Sequence, residues 1–116
     1  MLRKLVRSWA ARVAIEGGSM RPTLDTGDWV LVDPAAYAAR LPRRGELVLF
    51  ADPRDGGRVL IKRVDQVSLD TGELFVLGDA AEASTDSRAF GSIAASDVEG
   101  KPWLRYWPLR RFGRIR

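Results

Sequence analysis

The 116-residue sequence has no cysteine and no histidine. The first absence removes disulfides, thiolate metal sites and cysteine nucleophiles, and leaves the redox compartment open. The second removes the Ser-His-Asp triad, histidine-ligated metals and the imidazole general base. Any catalyst working near neutral pH must then use a lysine, carboxylate or tyrosine whose pKa has been moved by its surroundings. Long hydrophobic runs are missing as well: no stretch approaches the roughly 20 apolar residues that cross a bilayer. Charges at Arg3, Lys4, Arg7 and Arg12 break up Leu2 to Ile15, which argues against a secretory signal peptide. Nor is there an internal repeat or low-complexity tract.

What is present is one domain's worth of chain, 46% hydrophobic, with a net charge of +4 distributed unevenly. Residues 1–12 and 101–116 together hold ten basic side chains and no acid, whereas residues 13–100 hold nine bases against fifteen acids. An acidic body between basic ends is not the profile of a broad nucleic-acid-binding face, and no nucleic-acid partner is expected. The ends suit contact with an anionic membrane surface, and equally suit simple solvation. The organisation expected is a basic amphipathic segment over 1–11, a catalytic-type domain over 12–108 and a basic tail over 109–116, in a cytoplasmic protein able to touch a membrane only peripherally.

Leu2, Leu5, Val6, Trp9 and Val13 recur at helical spacing, which predicts a short amphipathic helix over the first ten or so residues. Such a helix lies on a membrane surface or packs on its own domain. From Arg12 the pattern changes to short strands punctuated by turn residues, near 12–16, 28–33, 46–51, 58–67, 73–78 and 97–106. The stretch Asp52 to Gly57 separates one hairpin pair and Leu69-Asp70-Thr71-Gly72 the next. Short strands without helical crossovers predict a mainly β fold, a compact coiled sheet or partly open barrel.

Three segments carry chemistry. In Glu16-Gly17-Gly18-Ser19-Met20-Arg21-Pro22-Thr23-Leu24 the glycines permit unusual backbone angles and close approach, and Pro22 sets the exit direction, so the turn can hold the Ser19 hydroxyl rigidly. In Leu60-Ile61-Lys62-Arg63-Val64 a lysine interrupts an apolar strand. Burial lowers a lysine pKa from near 10.4 by roughly 3 to 5 pH units, which would make Lys62 able to deprotonate a serine. A Lys62 that snorkels to solvent would do nothing of the kind, and alternation does not choose between the two, since Val59 and Ile61 make the other face apolar too. The third segment, Gly78 to Gly91, is dense in short polar side chains: Ser84 can exchange hydrogen bonds with a neutral amine, and Asp86 with Arg88 can brace the loop.

Taken together and in order, these segments resemble the signal peptidase I, or S26, family of serine peptidases. Ser19-Met20-Arg21-Pro22-Thr23-Leu24 is similar to the family's nucleophile box, Lys62-Arg63-Val64 to its lysine box, and Gly78-Asp79 with Ser84-Thr85-Asp86-Ser87-Arg88 to its third box. The resemblance implies that Ser19 attacks the scissile carbonyl and lends its backbone N–H to the oxyanion, and that Lys62 is base and then acid. It further implies that Ser84 orients the lysine, that Asp79, Asp86 and Arg88 brace the site, and that Met20 and Pro22 shape the substrate pocket. No metal or organic cofactor is implied. The partner implied is the leader peptide of a precursor protein, bound as an extended strand. Two departures stand out: Ala80 replaces the family's asparagine, and Gly17 occupies a position that is a serine in some members. Trp103-Leu104-Arg105-Tyr106-Trp107-Pro108 resembles the terminal segment of the subgroup that matures nickel-type superoxide dismutase. The alternatives are removal of secretory signal peptides at a membrane, a self-cleaving repressor-like switch, for which the residues before Ser19 leave no DNA-binding domain, and a peptide-binding module that has lost turnover.

Overall fold

In the computed structural model, which describes residues 11–116, eight antiparallel strands form one open, coiled sheet. The expected amphipathic helix falls on residues outside those described. The strands are β1 (Ala11–Ala14), β2 (Trp29–Asp33), β3 (Leu47–Asp52), β4 (Asp55–Val67), β5 (Glu73–Leu77), β6 (Ile93–Ala94), β7 (Val98–Trp107) and β8 (Gly113–Arg114). Their order across the sheet is β1-β2-β7-β3-β4-β5-β6, with β8 added to β7. The mainly β, unclosed architecture is the one that the pattern of short strands predicts.

Two long strands give the sheet its coil. Lys101 to Trp107 of β7 pair with β2, while Val98 and Gly100 pair with β3, so one strand serves both halves of the sheet and passes through register shifts on each side. Gly100 sits where the halves meet. A Cβ there would lie 2.6 Å from Val32 Cγ1 and 2.8 Å from the Asp33 carbonyl, so only glycine lets β7 pass this close to β2.

Each face of the β3–β4 hairpin has its own core. Leu47, Leu49 and Ile61 pack with Met20, Leu24, Val30 and Val32, whereas Val48, Phe50 and Val64 pack with Leu74, Val76 and Ile93. A strand covered on both sides is apolar throughout rather than alternating, which accounts for the unbroken Leu47-Val48-Leu49-Phe50 and for the ambiguity around Lys62. Leu60 and Val64 do share a face, as period-two spacing requires, and Ile61 belongs to the other.

The first hairpin is tighter than the sequence suggests. Pairing continues to Asp52 opposite Asp55, leaving only Pro53-Arg54 as the connection. The reason is Asp52, whose buried carboxylate takes the Arg54 backbone N–H at 2.9 Å and the Arg54 guanidinium at 2.9 and 3.1 Å. The second connection turns at Leu69-Asp70-Thr71 and closes through Gly72, whose φ of +72° suits glycine, with Ser68 and Glu73 joined across it.

Residues 109–116, read from composition as a basic tail, fold back on the domain. A single 3-10 turn (Leu109–Arg111) leads into β8, and the Ile115 N–H donates to the Trp103 carbonyl. Arg111 donates through Nε and Nη2 to the buried Asp28 carboxylate at 3.2 and 3.1 Å, and Arg105 lies 3.8 Å from the same carboxylate. Asp28 in turn accepts from the Asp25 backbone N–H, so this ion cluster fixes the far end of the glycine-rich turn.

Candidate active site

The three chemistry-bearing segments converge. Ser19 lies in the turn that leaves β1, Lys62 on β4, and Ser84, Asp86 and Arg88 in the loop after β5, which ends in the short helix α1 (Ser87–Phe90). The loop is pinned to β5 by the Val76 N–H, which donates to the buried Ser87 hydroxyl at 2.8 Å. Asp86 caps α1 by accepting from the Arg88 N–H.

Lys62 is 3% exposed. Its ammonium nitrogen donates to Ser84 Oγ at 3.2 Å, and Ser84 Oγ donates to Asp86 Oδ2 at 2.7 Å. A hydroxyl has one proton, and Ser84 commits it to the carboxylate, so only its lone pairs face the amine. Asp86 also accepts from the Gly78 N–H at 2.9 Å and from Arg88 Nε and Nη2 at 2.9 and 2.8 Å. Burial on its own would raise the Asp86 pKa, but Arg88, the Gly78 N–H and the Ser84 hydroxyl together hold it well below the usual carboxylate range. For Lys62 the balance is reversed: burial pushes the amine below the ordinary lysine value, and the nearby Asp86 charge only partly opposes this. The Arg54 and Arg58 charges add to the lowering, and Asp52 opposes it.

Asp79 joins the segments to one another. Its carboxylate receives Arg63 Nε and Nη2, both at 2.8 Å, and the Thr23 hydroxyl at 2.6 Å, while its N–H points at Met20 Sδ 3.4 Å away. The next residue, Ala80, donates its N–H to the Ser19 carbonyl at 2.9 Å. Burial works to raise the Asp79 pKa, and Arg63 and Thr23 outweigh it, so the group stays charged and paired.

Gly78 is a further site residue, quoted with its neighbour in the sequence but not singled out there. A Cβ at this position would overlap the Ser84 side chain and fall 2.7 Å from the Ser19 carbonyl. The two serine-bearing segments approach only because residue 78 has no side chain. Thr23 and Arg63 are site residues too, as the partners of Asp79; a short linear motif does not show what a side chain reaches across the fold.

Ser19, Met20 and Lys62 line one cleft of about 480 Å³. Val13 to Gly18 form one wall, and Arg58 to Ile61 contribute another. Among the described residues, both backbone segments are open on the cleft side. β1 is an edge strand, and β5 pairs with β4 only from Arg63 onward. Met20 is buried, at the junction of cleft and core, whereas Pro22 is exposed and outside the cleft lining. Among the described residues, neither the Ser19 hydroxyl nor its backbone N–H has a hydrogen-bond partner. The site thus offers a partly exposed hydroxyl, a desolvated amine held by a second hydroxyl, and free strand edges running up to both.

Comparison with known proteins agrees with these features. The family profile described as "Signal peptidase, peptidase S26" matches residues 3–67 and 64–107. The chain is 34% identical to the mitochondrial ATP-independent inner membrane protease subunit 1a of Arabidopsis thaliana, over 88% of this chain and 73% of that protein. It is 28% identical to the human mitochondrial inner membrane protease subunit 1, over 90% of this chain and 74% of that one. A Synechocystis protein named a probable signal peptidase I is 26% identical, over 93% of this chain and 68% of its own length. With the family profile spanning nearly the whole chain and a relative 34% identical over 88% of it, this protein belongs to the S26 family of signal peptidases and is a signal-peptidase-I-like serine protease.

Proposed function

We propose that the protein is an endopeptidase that removes an N-terminal leader from a precursor, with Ser19 as nucleophile and Lys62 as general base. The observation that carries this reading is the environment of Lys62: a lysine 3% exposed, hydrogen-bonded to Ser84, on the same cleft as Ser19. With Ser84 accepting one N–H of the neutral amine, the nitrogen lone pair is left for the Ser19 proton. Ser19 Oγ attacks the carbonyl as that proton passes to Lys62, giving a tetrahedral intermediate whose oxyanion accepts a hydrogen bond from the Ser19 N–H. Collapse breaks the C–N bond, and the leaving amine takes the proton back from Lys62, which leaves an ester on Ser19. Water, deprotonated by Lys62, attacks the ester; as the C–O bond to Ser19 breaks, Lys62 returns that proton to Ser19 Oγ, freeing the serine and leaving the amine neutral. Asp86, Arg88 and Asp79 touch no reacting atom in this scheme; they hold the groups that do.

The leader binds as an added strand between the open edges of β1 and the first half of β4, with its backbone hydrogen-bonded on either side. Small side chains next to the cut suit a site this closely packed around Met20. Among precursors, nickel-type superoxide dismutase is the candidate suggested by the Ser84 to Gly91 loop together with Trp103 to Pro108. Relatives named as an inner membrane protease subunit and a probable signal peptidase I support the other reading, removal of secretory signal peptides at a membrane.

Incubation with each precursor, followed by sequencing of the product's new N-terminus, separates the two. Ser19→Ala and Lys62→Arg should each abolish cleavage with the fold retained, because a guanidinium stays protonated at any tolerable pH. Turnover surviving in Lys62→Arg removes the proposed base, and cleavage indifferent to Ser19→Ala leaves a peptide-binding module.

A further inference from the structure

The cleft carries two charges that the proposed hydrolysis leaves without work. Arg58 stands on one wall, in the first half of β4, and Glu16 on the other, between β1 and Ser19. Both residues are exposed and, among the described residues, neither side chain has a hydrogen-bond or ion-pair partner, so they do not bridge the cleft to each other. The other arginine of the lining is occupied: Arg54 pairs with Asp52, and its guanidinium lies 5.6 Å from the centre of the Phe90 ring. Asp55, earlier on the same strand, turns its carboxylate to the Gly57 N–H at 3.1 Å.

Where along a bound peptide these charges act follows from the topology. The steps from β1 to β2, β7, β3 and β4 are all antiparallel, so β1 and β4 run in the same sense along the sheet. Among the described residues their open edges leave the reacting groups in one direction only, since the chain turns away at Met20 and β5 covers β4 from Arg63 onward. Arg58 lies four residues before Lys62 on that edge, about 13 Å along an extended strand. Glu16 is three residues before Ser19, across the bend at Gly17, and so sits nearer the cut. A peptide laid along these edges strips water from Arg58. A guanidinium covered without an anion is costly, whereas a carboxylate on the covering chain offsets the loss with paired hydrogen bonds. We infer that Arg58 is a specificity-determining residue, pairing with an aspartate or glutamate that the leader carries about four residues before the cut. On the leader-strand reading above, on which this rests, the substrate class becomes leaders with an acid set back from the cut. An acid beside the cut meets the like charge of Glu16 and is disfavoured.

Binding to the full Ser19→Ala chain reads this without turnover. The probes are fluorescein-labelled peptides of neutral Ala- and Ser-rich sequence, with Glu, Gln or Lys placed in turn at each position before an Ala-Ala cut, followed by anisotropy. Glu about four residues before the cut should bind about fivefold tighter than Gln, and Lys more weakly than Gln, with the difference shrinking as salt rises. Adding Arg58→Gln should bring the three peptides together, and Arg58→Glu should make Lys the preferred side chain. Each comparison is between peptides on one variant, so a change in stability or in Lys62 cancels. Thermal melts check folding, and should the charge reversal fail that check, the Gln variant decides. Binding indifferent to charge at every position overturns the inference alone. So does an acid preference that survives in Arg58→Gln, or one confined to positions beside the cut. Absence of binding by every peptide overturns it together with the leader-strand reading. Peptides that bind with the expected charge preference, yet resist cleavage by the parent chain, would count against the hydrolytic reading and uphold this one.

Discussion

At the scale of single residues the site sets the burial of one amine against the charge of a neighbouring carboxylate. Asp86 accepts the Ser84 hydroxyl, yet its charge favours the ammonium form of Lys62; Arg88, paired with Asp86 through two nitrogens, offsets part of that charge. Arg88→Met should therefore move the acid limb of kcat/KM to higher pH and lower the rate at neutral pH several-fold, with the limb restored toward its old position by Lys at residue 88. A profile unchanged in position would show that Arg88 holds the loop without tuning the base. Lys62 also has a thermodynamic signature. Its pKa is lower folded than unfolded, so the unfolded chain binds the extra proton, and stability rises with pH from the lowered value up to the ordinary 10.5. At neutral pH the buried amine is a cost. Lys62→Met should abolish cleavage and raise Tm by a few degrees, about 4–8 °C for each 1 kcal/mol in a domain of this size; a drop in Tm would mean that the amine's hydrogen bond outweighs its desolvation.

At the scale of elements the glycine-rich turn is held at both ends. Asp79 and Arg63 grip it through Thr23, and Arg111 and Arg105 grip it through Asp28 and the Thr23 carbonyl, the latter at 2.7 Å. Arg111→Met would leave a carboxylate with 3% side-chain exposure short of its closest cation. A loss of about 2 kcal/mol is expected, read from the urea midpoint. The strands themselves were legible from their apolar spacing and turn residues, to within a residue or two at most ends. The two-residue strands β6 and β8 were not. Ile93-Ala94 and Gly113-Arg114 have no periodicity of their own and become strands only because β5 and β7 offer them an edge.

Across the whole molecule a few long-range ion pairs tie connections to the sheet. Glu46 accepts from both Arg40 and Lys101, joining the connection after β2 to β7, and the Arg40 contact is the largest influence holding its pKa down to about 2 from the ordinary 4.5. Burial opposes that shift, and the Arg43 N–H and Lys101 reinforce it. A carboxylate whose folded pKa is depressed contributes its full stability above pH 4.5 and loses it as pH falls toward about 2. Glu46→Gln should flatten the stability curve across that window and lower stability at neutral pH; an unchanged acid slope would place the sensitivity on Asp79 and Asp86 instead. No helix among the described residues is long and apolar enough to cross a membrane.

The residue types alone restricted the chemistry. Without histidine or cysteine the nucleophile needed another base, and three ordered motifs named Ser19, Lys62 and Ser84 as the groups to consider, because short motifs are preserved in linear order. The state of Lys62 was decided only by the tertiary structure. A strand apolar on both faces reads alike whether its lysine points to solvent or inward, and desolvation depends on what packs over the amine, here a loop more than twenty residues further along the chain. The same holds for Gly78, whose missing side chain matters because of Ser19 and Ser84, and for Arg58, an ordinary charge on a hairpin until β1 forms the opposite wall of its cleft. Periodicity reports which faces are buried; it does not report what buries them.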